Sequence, residues 1–190
     1  MVRYLLATVC IFAASISGIS QPKYLCKNGH IWFYSRTPLE EIEAHSYEAA
    51  SVIDTKTGDI AYQVLIKSFT FKRALMEEHF NENYMESSRY PKSELRGNIT
   101  NLDSIDFSKP GVYKALVEGN LTIHNTTRSI REQGTIIVED GKLHLNAKFD
   151  VIPQDYNIDI PGIVRDKIAK SITVTIEMVY NPYTKSASGS

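Results

Sequence analysis

The feature that most constrains the fold is an alternation of apolar and polar residues along several stretches of the chain. In 142–151, every second residue from Leu143 to Val151 is apolar, and the residues between them are polar. The segments 112–123 and 171–180 follow largely the same pattern. A period of two with one apolar face is typical of antiparallel strands that have one solvated side. The chain is therefore predicted to be mostly antiparallel β-structure.

Five further segments are assigned as strands on composition and turn signals: 29–36, 42–53, 60–68, 94–100 and 130–138. Turns are predicted at 57–59 and at 139–141, where Asp140-Gly141 is a strong hairpin signal. About eight strands with short connections favour an up-and-down barrel or a sandwich. An eight-stranded barrel has an interior that holds side chains or one small ligand.

One segment departs from the strand pattern. Apolar residues recur at spacings of three to four in 71–86, which predicts a helix with Thr70 as its N-cap. Tyr90-Pro91 bars its continuation, because proline disfavours helical backbone in the residue before it. A single short helix beside a barrel is expected to cover one mouth.

The chain is predicted to contain one folded domain. Residues 1–20 resemble a secretory signal peptide, with Arg3 before an apolar run and small residues near Ser20, and the run is short for a membrane span. The domain is assigned to 21–183, and the small polar residues 184–190 are expected to be a disordered tail. Cleavage would leave Cys26 without a disulfide partner, which favours a structural role for it.

Charge and motifs give no positive signal for several classes of function. The formal net charge is −1 and the basic residues are dispersed, so no nucleic-acid partner is expected. No nucleophile elbow or metal-ligand spacing is present among the motifs, so no catalytic residue, metal or cofactor is assigned. The choice between a monomer and a homodimer stays open.

Aromatic and aliphatic residues on the predicted inner faces and on the helix are the candidates for a ligand-binding site. Methionine and phenylalanine around the helix suit a flexible apolar ligand, although packing on the barrel is the favoured explanation for any single one of them. The predicted ligand-binding residues are Trp32, Tyr34, Phe69, Phe71, Leu75, Phe80, Tyr84, Val117, Leu121, Phe149 and Ile176.

Three segments, in order, carry a resemblance to a known family. They are HFNENYMESSRYPKSELRG at 79–97, VEGNLTIHNTTRSI at 117–130 and FDVIPQDYNIDIPGIVRDKI at 149–168. Over roughly 23–181 the chain resembles the YceI-like family of bacterial lipocalin-like, polyisoprenoid-binding proteins. It differs in Leu95, where an aromatic residue is common, and in Asn125, which replaces a turn glycine. Asparagine tolerates positive φ, so the turn is expected to persist.

The resemblance implies an antiparallel barrel with an extended apolar cavity, in a periplasmic or secreted protein. Its ligand would be an isoprenoid or acyl chain, such as a quinone or a fatty amide. Two other classes stay open: a filled barrel that serves as an interaction module of the cell envelope, and a lipid-modifying enzyme. The enzyme would need convergent polar groups at the pocket floor, such as His79 or His124 with a carboxylate.

Overall fold

The structure is a computed structural model that describes residues 23–183. The predicted signal peptide and tail therefore lie outside the described residues. Nine strands are assigned in this range: β1 Lys23–Arg36, β2 Glu41–Asp54, β3 Asp59–Leu65, β4 Thr70–Phe71, β5 Lys92–Ile99, β6 Gly111–Ile123, β7 Thr126–Glu139, β8 Lys142–Val151 and β9 Ile172–Pro182.

The eight long strands form a closed, up-and-down antiparallel barrel. Each pairs with the next long strand along the chain, and β1 pairs with both β2 and β9, which closes the sheet. The two-residue β4 is added beside β2, where Phe71 pairs with Ala44. The predicted all-β, lipocalin-like barrel is confirmed, and closure leaves the long strands without free edges.

Two tight hairpins have the backbone that their residues favour. Asp140 and Gly141 have φ of 50° and 72°, and His124 and Asn125 have φ of 47° and 58°. Positive φ at both central residues defines the type I′ turn, whose twist matches that of the two strands it joins. Asn125 thus takes the positive φ expected of it.

The helical segment is shorter than predicted. The helix α1 spans Ala74–His79 and continues as one π-helical turn, Phe80–Tyr84. Thr70 is wrong as the N-cap, because it lies in β4, and α1 begins after Arg73 without a side-chain cap. Pairing with β2 overrides the local helical pattern at this point. The predicted strand 60–68 also ends early, at Leu65, and a 3₁₀ turn follows over Ile66–Ser68.

A bulge in β1 reverses which residues face the interior. Tyr24 and Cys26 are buried, and beyond the shift between Cys26 and Gly29 the buried positions become Gly29, Ile31 and Ser35. An extra residue in one strand changes the parity of all that follow it. Cys26 is a free buried cysteine, and burial raises the pKa of its thiol.

Side chains fill one end of the barrel. Here the core consists of residues such as Ile53, Ile99, Ile136, Leu143 and Met178, all almost completely buried. We call this the closed end; the other, beside α1, is the open end. The open end is formed where β1, β3, β6 and β8 finish and where β2, β5, β7 and β9 begin.

Candidate functional site

The candidate site is an apolar cavity of about 470 Å³ in the open half of the barrel. Strands from all around the barrel contribute to it, including Ile31 from β1, Val64 from β3, Leu121 from β6 and Val174 from β9. The residues after β8 complete the wall with Ile158, Ile160, Val164 and Ile168. Most lining side chains are apolar, as is usual for a site that takes an apolar ligand.

The structure brings most of the predicted binding residues together around this cavity. The eight that line it are Phe69, Phe71, Leu75, Phe80, Tyr84, Leu121, Phe149 and Ile176. They come from the helical segment and its approach, and from β6, β8 and β9. Their role as ligand contacts stays a prediction, although the facing assigned to them agrees with the structure.

Trp32 and Tyr34 were assigned to the wrong face of β1. The lining residues of this strand are Ile31, Phe33 and Ser35, whereas Trp32 stacks on His30 outside the barrel with ring centroids 4.4 Å apart. The reason is the bulge: Trp32, Phe33 and Tyr34 are all aromatic, so only the position of the bulge decides which of them points inward.

Val117 also lies outside the cavity, for a different reason. Its side chain packs against the core of the closed end, below the cavity lining. Its inward facing was predicted correctly, but facing does not locate a residue along the barrel axis.

Four phenylalanines form the wall beneath the helical segment. The ring centroid of Phe33 is 5.4 Å from those of Phe69 and Phe80 and 5.8 Å from that of Phe71. Phe71 and Phe80 are 5.1 Å apart. These distances are favourable for aromatic pairs. No residue of α1 itself is buried, so this wall, rather than a deeply packed helix, closes the side of the cavity.

Polar side chains at the cavity concentrate near its mouth. Glu40 forms an ion pair with Arg73, and both line the cavity together with His79 and Lys167. The hydroxyl of Ser35 accepts a hydrogen bond from the backbone N–H of Ala169 at 2.9 Å. The mouth therefore presents charges of both signs above an apolar interior.

The cavity floor carries Tyr62, which the sequence analysis did not single out. Its hydroxyl is buried and has no hydrogen-bond partner among the protein atoms, and burial raises the pKa of Tyr62. The nearby Tyr180 hydroxyl, in contrast, donates to Ser51 Oγ at 2.8 Å, and Ser51 donates to the Ala61 carbonyl oxygen. The alternation Ile60, Tyr62, Val64 was the available signal for the inward facing of Tyr62.

Other residues that were missed come from irregular structure. Arg73, Val164, Lys167 and Ile168 line the cavity from the start of the helical segment and from the 3₁₀ segment Gly162–Lys167 with its neighbour. Non-periodic segments give no signal of facing, so the sequence contained nothing that would place these side chains.

The histidines considered for catalysis do not meet at the cavity floor. His79 lines the cavity at its helical side, and His124 lies in the β6–β7 turn with its Nε2 3.8 Å from Glu86 Oε2. Within 23–183, no three histidine, cysteine or acidic side chains group in a way that could hold a metal ion. Across the same residues, no helix has the length and apolarity to cross a membrane.

The closed barrel with an apolar cavity at one end defines a lipocalin-like barrel protein. The sequence model of the YceI-like domain matches residues 38–180, and the chain therefore belongs to the YceI-like family. The predicted resemblance is confirmed. A comparison with curated proteins finds no significant match.

Three solved structures illustrate the similarity of fold. A polyisoprenoid-binding domain from Saccharophagus degradans, implicated in plant cell wall breakdown, has a TM-score of 0.74 at 11% identity and covers 86% of this chain and 99% of its own. BcnA of Burkholderia cenocepacia has a TM-score of 0.66 at 12% identity, covering 80% of this chain and 95% of its own. The YceI protein of Campylobacter jejuni has a TM-score of 0.55 at 15% identity, covering 97% of this chain and 100% of its own. The TM-scores show that these proteins and this chain have a common fold.

Proposed function

We propose that this protein binds and carries a long-chain amphiphilic lipid of the polyisoprenoid, quinone or fatty amide type. The observation that carries the proposal is the cavity of about 470 Å³, apolar within and charged at its mouth. An apolar chain would lie in the barrel, and the polar headgroup would stay near Arg73, Glu40 and Lys167. The polyisoprenoid-binding domain of similar fold supports the same ligand class.

The size of the cavity limits the length of the chain it takes. The cavity of about 470 Å³ lies within the roughly 300–1,000 Å³ that is usual for small-molecule pockets, so it encloses part of a long apolar chain. Each methylene that the cavity buries contributes about 0.8 kcal/mol of gross hydrophobic stabilisation, before the costs of association. The remainder of a long chain would project from the mouth.

The cavity favours this proposal over the filled-barrel alternative. A filled barrel would pack side chains along its whole axis, as the closed end does with Ile136 and Leu143. At the open end, mostly apolar side chains instead surround the cavity. We propose no catalytic step and no cofactor. On the strength of the segment 1–20, we also propose export to the periplasm or the medium.

The test combines lipid identification with one pair of variants on β9. Native mass spectrometry of the exported protein, followed by solvent extraction, should reveal a bound lipid. Ile176→Trp should fill the cavity and reduce binding of a fluorescent fatty-chain probe, because Ile176 lines the wall. Val179→Trp is the matched control, because Val179 is exposed on the same strand.

Two results would contradict the proposal. One is an exported protein that carries no lipid and takes up none of the probe. The other is a probe affinity that Ile176→Trp and Val179→Trp leave equally unchanged.

A further inference from the structure

Three segments surround the cavity mouth, and each presents a large apolar side chain to solvent. Leu39 lies in the turn between β1 and β2 and is 67% exposed, and Leu75 in the first turn of α1 is 61% exposed. Ile163, in the 3₁₀ segment Gly162–Lys167, is 91% exposed. We call these three residues the apolar rim.

Contacts between the three segments hold the rim around one opening. The Glu40–Arg73 ion pair joins the β1–β2 turn to the start of α1. The hydrogen bond from Ala169 N–H to Ser35 Oγ joins the chain just after the 3₁₀ segment Gly162–Lys167 to the end of β1. Because Glu40, Arg73 and Val164 line the cavity, the neighbouring rim residues lie at its entrance.

The rim is continuous with the apolar interior. Leu75 both lines the cavity and is largely exposed to solvent. Single exposed apolar residues are common on protein surfaces, but several around one apolar opening are characteristic of a binding surface. An apolar chain passing Leu75 would remain in contact with apolar side chains from the rim to the cavity.

Charge beside the rim indicates what the surface meets. The segment 162–170 contains three exposed basic residues, Arg165, Lys167 and Lys170, and one acidic residue, Asp166. At the Leu39 turn, the acidic residues Glu40 and Glu41 are paired with Arg73 and Arg36, so the basic residues around Ile163 are the excess charge of this turn and segment. An apolar side chain flanked by basic ones is a combination that binds an anionic lipid surface, because the apolar tip enters the interface and the cations remain at the headgroups.

We propose that the apolar rim docks the barrel onto an anionic lipid bilayer, with the mouth facing the membrane, so that lipid enters or leaves the cavity there. This proposal rests on the proposed lipid-binding function. A lipid could then move between the membrane and the barrel with little exposure of its chain to water.

The first experiment measures co-sedimentation with vesicles of phosphatidylcholine and phosphatidylglycerol. The exported protein should bind, and Leu39→Asp and Ile163→Asp should each weaken partitioning by about tenfold. Neither residue lines the cavity. Val112→Asp is the matched control, because Val112 is 71% exposed at the closed end and should bind as the unaltered protein does.

A second measurement separates docking from lipid binding. A fluorescent fatty-chain probe is supplied either from solution or within the vesicles. Ile163→Asp should take up the probe from solution normally and lose most uptake from vesicles. The docking proposal is overturned if the protein takes up the probe from solution but does not bind vesicles. It is also overturned if uptake from solution is normal and Ile163→Asp binds vesicles as well as Val112→Asp does. No uptake from either source overturns the lipid-binding function on which it rests.

Discussion

Tyr62 at the cavity floor and Tyr180 in the closed-end core both have buried hydroxyls, and the two residues should respond in opposite directions to the loss of that hydroxyl. The Tyr62 hydroxyl is buried without a protein hydrogen-bond partner, whereas the Tyr180 hydroxyl donates to Ser51 Oγ at 2.8 Å. The changes Tyr62→Phe and Tyr180→Phe each remove one oxygen atom and keep the ring. They therefore compare a buried unpaired hydroxyl with a paired one in nearly the same place.

The expected magnitudes follow from hydrogen-bond energetics. An unpaired buried polar group costs about 1–3 kcal/mol, so Tyr62→Phe should raise the free energy of unfolding by about 1 kcal/mol or more. A paired hydroxyl contributes about 0.5–1.5 kcal/mol net, so Tyr180→Phe should lower it by about 1 kcal/mol. The two variants should thus differ by about 2 kcal/mol in stability.

Urea denaturation of lipid-free protein measures this difference, because a bound ligand would stabilise the folded state unequally among variants. Similar m-values are needed for the comparison, since a change in slope would report a change in the denatured or native ensemble. The reasoning is refuted if Tyr62→Phe destabilises the protein as much as Tyr180→Phe does. The Tyr62 hydroxyl would then have a partner in solution.

Two further changes test the packing of the wall and the titration of its outer surface. Gly119→Ala should destabilise the barrel by about 1–3 kcal/mol, because a Cβ there would lie 2.5 Å from the carbonyl oxygen of Arg96. Gly162→Ala is the control, because a Cβ at Gly162 would have nothing within 4 Å. Equal thermal stability of the two variants would argue against the clash. Burial and the neighbouring His45 lower the pKa of His30. Because the unfolded chain then binds a proton at His30 more readily than the folded chain does, the free energy of unfolding falls as the pH drops through the histidine range. His30→Asn should flatten this slope in denaturation experiments at a series of pH values, and an unchanged slope would contradict the assignment.

The regular part of the barrel could be predicted because the alternation of apolar and polar residues in 142–151 and 171–180 indicates both that these segments are strands and which of their faces is buried. For β8 and β9 the inward residues in the structure are those predicted from the pattern. The Asp140-Gly141 hairpin followed from local turn chemistry in the same way. These features depend on interactions between near neighbours in sequence, so the residues themselves are sufficient to specify them.

The parts that were predicted wrongly depend on contacts with distant residues. Thr70 and Phe71 pair with β2 instead of beginning the helix. The β1 bulge turns Phe33 inward and Trp32 outward, which no alternation in an all-aromatic run can reveal. In both places the partner strand, rather than the local pattern, decides the conformation.

Strand periodicity and turn residues are local properties of the chain, and they were enough to predict antiparallel all-β structure. The three segments that resemble the YceI-like family, in their order along the chain, indicated a lipocalin-like barrel. The packing of distant segments against one another fills the interior at one end, leaves it open at the other, and brings Leu39, Leu75 and Ile163 around the opening. The physical reason is that a cavity is the volume left between side chains from many strands and loops. Its size and position depend on how those elements meet in space.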